Sequence, residues 1–72
     1  MNITYYFVSY VIQDQENPRK AEFKNAVCSS HPFEWIAFIN NGMSKFPGVT
    51  MPKAILLSWR NISEKEFKMF QN

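Results

Sequence analysis

The stretch Ile3-Thr4-Tyr5-Tyr6-Phe7-Val8-Ser9-Tyr10-Val11-Ile12 is the longest apolar run in the sequence and is rich in β-branched and aromatic residues. That composition predicts a strand. Alternation places Ile3, Tyr5, Phe7 and Val11 on one side and Tyr6, Val8, Tyr10 and Ile12 on the other. An edge strand of a one-faced sheet would alternate apolar with polar residues. This one carries large apolar groups both ways, so it is expected at the centre of a sheet, with a neighbour on each side and material against each face.

Moving outward, Gln13 to Arg19 is polar and contains Asn17-Pro18, a turn signal that reverses the chain. Lys20 to Cys28 then alternates, with Ala21, Phe23 and Val27 on one side and Glu22, Lys24 and Ala26 on the other. This is the pattern of a half-buried strand, paired antiparallel with the first at the sheet edge. Ser29-Ser30-His31-Pro32 opens a helix: Pro32 suits the first turn and pushes His31 into the extended region that an N-cap residue occupies. Over Phe33 to Asn41 the helical wheel gathers Trp35, Ile36 and Ile39 on one face, flanked by Phe33 and Phe38, with Glu34, Ala37 and Asn41 opposite. Asn41-Gly42 ends it, and Met43 is placed to fold back on Phe38.

Met43 to Pro52 lacks periodicity and reads as the one long loop. Lys53 to Arg60 resumes as a strand, with Ile55, Leu57 and Trp59 expected on one face and Ala54, Leu56 and Ser58 on the other. Ile62-Ser63-Glu64-Lys65-Glu66-Phe67 is a full capping box, Ser63 to Glu66, with Ile62 and Phe67 placed as a hydrophobic staple. It starts a short helix with Phe67 and Phe70 on its inner side, marginal unless docked. A right-handed crossover through the first helix returns the third strand beside the free side of the first. The expected fold is therefore α+β over residues 1–72 as a single domain: a three-stranded antiparallel sheet of order 2-1-3, one helix on a face and a short C-terminal helix.

The chain has 72 residues, near the lower size at which a core stabilises a fold without disulfides or metal. Seven Phe, three Tyr and two Trp supply that core, since burying a large aromatic is worth on the order of 2–3 kcal/mol. One cysteine, Cys28, excludes an intramolecular disulfide, and with one histidine, His31, it cannot furnish a structural zinc site. A reducing, cytoplasmic setting is expected. The N-terminal apolar run is about half the length of a membrane span and has no signal-peptide pattern, so no membrane association is expected.

Chemistry is sparse. Cys28 and His31 have no third residue to orient the imidazole. Two glycines cannot build a phosphate-binding loop. Asp14 and Glu16 sit in a polar loop and are expected to be solvated. No enzyme activity and no cofactor are expected.

A binding surface is the stronger expectation. If the main helix covers one sheet face, aromatic side chains of the other are either covered by the short last helix or used. The first use is a protein partner, including a second copy in a homodimer, through Tyr5, Phe7, Tyr10, Trp59 and Arg60, residue types enriched in interface hot spots. The second, ranked lower, is single-stranded nucleic acid, with aromatics stacking on bases and Arg19, Lys20, Lys24 and Lys53 meeting phosphates. A net charge of +2 decides little between them.

At Ser30-His31-Pro32-Phe33-Glu34-Trp35 and again from Ile55 through Phe67, the chain resembles small uncharacterised ββαβα proteins of bacterial and prophage genomes. The resemblance implies a short accessory or phage-borne protein. In that group non-enzymatic adaptors and inhibitors, including inhibitors of host defence proteins, are frequent.

Overall fold

The computed structural model describes residues 3–42 and 51–71. Strand β1 (Tyr5–Asp14) is followed by β2 (Ala21–Cys28), helix α1 (Pro32–Gly42), β3 (Pro52–Ile62) and helix α2 (Glu64–Gln71). The sheet has the order β2-β1-β3 with both pairings antiparallel, as the two-faced apolar pattern of β1 requires. Met43, expected to fold back on Phe38, lies outside the described residues.

Register assigns the faces. Tyr6, Val8, Tyr10 and Ile12 pair with Cys28, Ala26, Lys24 and Glu22 of β2, and these residues share one side of the sheet. Tyr5, Phe7, Ser9 and Val11 look the other way. α1 lies on the first face over β3, with Trp35 edge-on to Tyr10 at 5.1 Å between ring centroids. α2 lies on the second face over β1 and β2, where Phe67 meets Tyr5 at 4.5 Å and Phe70 meets Phe7 at 5.6 Å. The two helices lie on opposite faces of the sheet, each covers part of its face, and Trp35 and Phe38 of α1 line a concavity at the end of β2 together with Phe67 of α2. The short helix does fold beneath the sheet, but only against the Tyr5–Phe7 end.

The core sits under α1. Val8, Ile12, Cys28 and Ala54 are buried on that face, and among the described apolar residues Val11 alone is buried on the other. Trp35, Ile36 and Ile39 are half-buried as the wheel predicts, while Phe33 and Phe38 at its margins are exposed.

β3 departs from the expected alternation. Ser9 pairs with Ser58 and the next residue, Tyr10, pairs with Leu56, so Leu57 is an extra residue in a β-bulge. The bulge reverses the phase of everything after it. Ile55 and Trp59, expected on one face, are on opposite faces: Trp59 joins Val8 and Ala54 on the α1 side, and Ser58, Arg60 and Ile62 join Ile55 on the α2 side.

Polar groups at the bottom of the sheet are structural. Asp14, expected in solvent, is only 1% exposed. Its Oδ1 accepts the N–H of Glu16 at 2.9 Å and of Met51 at 3.4 Å, and its backbone N–H donates to the Lys20 carbonyl at 3.0 Å. Desolvating a carboxylate is tolerated only when such donors replace water, and here they tie the β1–β2 turn to the start of β3.

Candidate protein-binding surface

The helix caps fix the aromatic side chains. At α1, His31 Nδ1 accepts the Phe33 N–H at 3.1 Å and the His31 carbonyl accepts the Trp35 N–H at 3.0 Å. His31 is thus an N-cap that works through its ring nitrogen, in the role usually held by a Ser or Asp oxygen. The imidazole is thereby placed among aromatic rings, 6.0 Å from Tyr6, 5.0 Å from Phe33 and 6.0 Å from Trp59. Phe33 and Trp59 meet edge-on at 5.0 Å. Contact with each other does not hide them: Phe33 is 61% exposed and Trp59 42%.

At α2 the capping box is complete. Glu66 N–H donates to Ser63 Oγ at 3.1 Å, Ser63 N–H donates to Glu66 Oε1 at 3.0 Å, and Phe67 N–H donates to the Ser63 carbonyl at 3.0 Å. The Ser63 N–H holds the Glu66 carboxyl below its ordinary value, with the Ser63 hydroxyl and then the Arg60 charge adding to the effect.

The five residues proposed for protein binding separate onto two faces. Tyr5, Phe7 and Arg60 lie on the α2 side, where Tyr5 and Phe7 pack against the helix and the Arg60 guanidinium lies over the Phe7 ring at 5.4 Å. Phe7, Ser9, Ser58, Trp59 and Arg60 line an open concavity of about 250 Å³. Tyr10 and Trp59 lie on the α1 side. Tyr10 is engaged with Trp35, and Trp59 is joined by Phe33 and His31, which sequence reasoning assigned to helix geometry alone. Phe33 carried a usable signal: it lies at the margin of the apolar face of α1, two positions beyond the cap.

The four basic residues are dispersed. Arg19 and Lys20 lie in the β1–β2 turn, Lys53 faces Gln13 across the β1–β3 ladder, and Lys24 forms an ion pair with Glu22 at 3.2 Å. Trp59 pairs with Val8, five residues up β1 from the Gln13 that faces Lys53, a backbone span of about 17 Å.

Cys28 is buried, its thiol donates to the Ser30 carbonyl at 3.3 Å, and burial pushes it above its ordinary value. An inert structural thiol fits that environment. Among the described residues no group of three or more His, Cys, Asp or Glu is placed to hold a metal ion, and no helix is long and apolar enough to cross a membrane.

Comparison of the chain with family models, curated proteins and solved structures gives no match.

Proposed function

We propose that this chain is a non-enzymatic protein-binding module whose contact surface centres on Phe33 and Trp59, with His31 at its margin. The observation that carries the reading is the exposed ring pair itself. Two large aromatics from different elements are held at 5.0 Å by a helix cap and a β-bulge, yet both remain open to solvent. A fold that needed these rings only for its core would have covered them. Rigid aromatic anchors of this kind supply most of the energy in protein interfaces at small entropic cost. The resemblance to prophage proteins supports a host protein as the partner and an adaptor or inhibitor role.

The test is capture from bacterial lysate by the immobilised chain, comparing the parent with Phe33→Ser and Trp59→Ser together. The expected result is a protein retained by the parent and lost by the double variant, with the circular dichroism of the two chains alike. Equal retention by both would remove this surface from the proposal. No retention by either would remove the module reading.

A further inference from the structure

The two edges of the sheet are treated differently. Along β3, three features discourage pairing with another strand: Pro52 has no N–H, the Asn40 side chain occupies the Ala54 backbone, and the bulge at Leu57 interrupts the ladder. β2 has none of these. Its eight residues Ala21–Cys28 contain no proline, and their pairing with β1 runs without a register shift.

The outward groups of β2 follow from ladder phase. The Asp14 N–H donates to the Lys20 carbonyl, so residues pairing in step with Asp14 point their backbone groups between β1 and β2. The alternate residues, Ala21, Phe23, Asn25 and Val27, point theirs away from the sheet. The Asn40 clip on Ala54 confirms the phase, because Ile12 then turns toward β2 and its β3 partner Ala54 turns outward. Among the described residues no hydrogen bond reaches the outer backbone groups of β2.

Phe23, the third of the eight β2 residues, is 74% exposed on the α2 side of the sheet, next to Val11. Glu22 and Lys24, on the other side, flank it with opposite charges. We infer that β2 pairs antiparallel with β2 of a second copy of this chain about a two-fold axis at Phe23, joining two sheets into one of six strands.

Charge selects this register among two-fold axes from Glu22 to Asn25, and an axis at Ala21, which would set Glu22 opposite Lys20, runs the pairing out of the strand into the Asn17-Pro18 turn. An axis at Glu22 sets glutamates opposite each other, and one at Lys24 sets lysines opposite each other. An axis at Asn25 leaves Lys24 facing Ala26. Only the axis at Phe23 sets Glu22 of each copy opposite Lys24 of the other, in the closely spaced pairs that are not hydrogen-bonded to each other. Extending the existing Glu22–Lys24 pair then makes a ring of four alternating charges on one side. On the other side Phe23 meets its symmetry mate, and the row Ile55, Val11, Phe23 continues unbroken into the second copy. About six backbone hydrogen bonds form between the strands. This goes beyond the partner-binding reading and uses the opposite edge, so Phe33 and Trp59 stay free.

Charge reversal with sedimentation equilibrium tests it. The parent is expected to reach twice its 8.5 kDa monomer mass as concentration rises. Glu22→Lys and Lys24→Glu, each alone, should weaken self-association at least tenfold, because each puts like charges opposite. Mixing the two single variants should give a heterodimer, and the double exchange within one chain should restore the parent's association to within about threefold. Phe23→Pro, which removes an outward N–H but no β1–β2 bond, should be a folded monomer. A parent that stays monomeric to millimolar concentration overturns the inference. So do single reversals that associate like the parent, or a mixture that does not combine. The Phe33→Ser, Trp59→Ser double variant should dimerise normally, which separates failure of this inference from failure of the partner surface.

Discussion

Asn40 uses both ends of its side-chain amide on one residue of β3, donating Nδ2–H to the Ala54 carbonyl at 2.9 Å and accepting the Ala54 N–H at Oδ1 at 2.8 Å. A helix side chain thus does the work of a fourth strand at a single position and anchors the C-terminal part of α1 to a buried residue.

Replacing Asn40 by Ala leaves both Ala54 groups without that partner, at an expected cost of about 1–3 kcal/mol. For a domain of this size, 1 kcal/mol lowers Tm by about 4–8 °C. Asn40→Asp should melt below Asn40→Ala at neutral pH, since a carboxylate accepts the N–H but faces the carbonyl with a second oxygen. Protonated, it can again donate. Relative to the parent, the Asp variant should therefore recover as pH falls through the carboxyl range, and a Tm series against pH checks the sign.

The Ser63–Glu66 box predicts the opposite trend in the parent. The folded Glu66 pKa lies below its ordinary value, so the unfolded chain takes up the proton first as pH falls. The contribution is complete above the ordinary value of 4.5 and is lost as pH drops through the lowered one. Glu66→Gln should flatten that part of the profile, and Ser63→Ala should cost about 0.5–2 kcal/mol at neutral pH by removing the cap acceptor. Thermal unfolding followed by circular dichroism measures both. Variants that melt like the parent would mean that α2 adds nothing to stability.

Asp14 joins Glu16 and Met51 through one oxygen. Asp14→Asn keeps an acceptor there and should be the milder change. Asp14→Ala leaves two N–H groups unmatched and should cost about 1–3 kcal/mol. Amide hydrogen exchange at Glu16 and Met51, faster in the Ala variant than in the Asn variant, would locate the effect.

Deleting Leu57 removes the extra residue without disturbing any pair: Tyr10 still faces Leu56 and Ser9 still faces Ser58. The shortened chain should keep its fold and the Trp59–Val8 pairing. Deleting Ser9 from the central strand should abolish folding, because it shifts two ladders at once and turns half of β1 to the wrong face. Cross-strand nuclear Overhauser contacts at Val8 decide the first case and loss of native signals the second.

Much of the architecture could be read directly because it rests on local patterns. Two apolar faces place β1 in the middle, Asn17-Pro18 makes the turn, and the Ser63–Glu66 spacing starts α2 to the residue. What escaped depends on contacts between distant segments. No residue near Leu57 announces a bulge, because its cause is the match between ladders, and the error carried Trp59 to the wrong face. Asn40 follows Ile36 by one helical turn, so its inward direction was legible, but its partner on β3 was not. Asp14 looked solvated because a carboxylate by itself does not reveal which N–H groups will later surround it. For the candidate surface, residue types pointed to Trp59, whereas its pairing with Phe33 needed the helix to be docked.

The sheet order has a consequence for how the molecule comes together. β1 and β2 are joined by a short turn and can zip as a hairpin as soon as both exist, at little loop-closure cost. The other side of β1 waits for β3, whose Ile62 must find Tyr5 from the far end of the described chain. Until then the nascent hairpin has two open flanks, one carrying the aromatics of the central strand. The slowest step of assembly should be arrival of the third strand, and during that interval the chain is most vulnerable to misassociation.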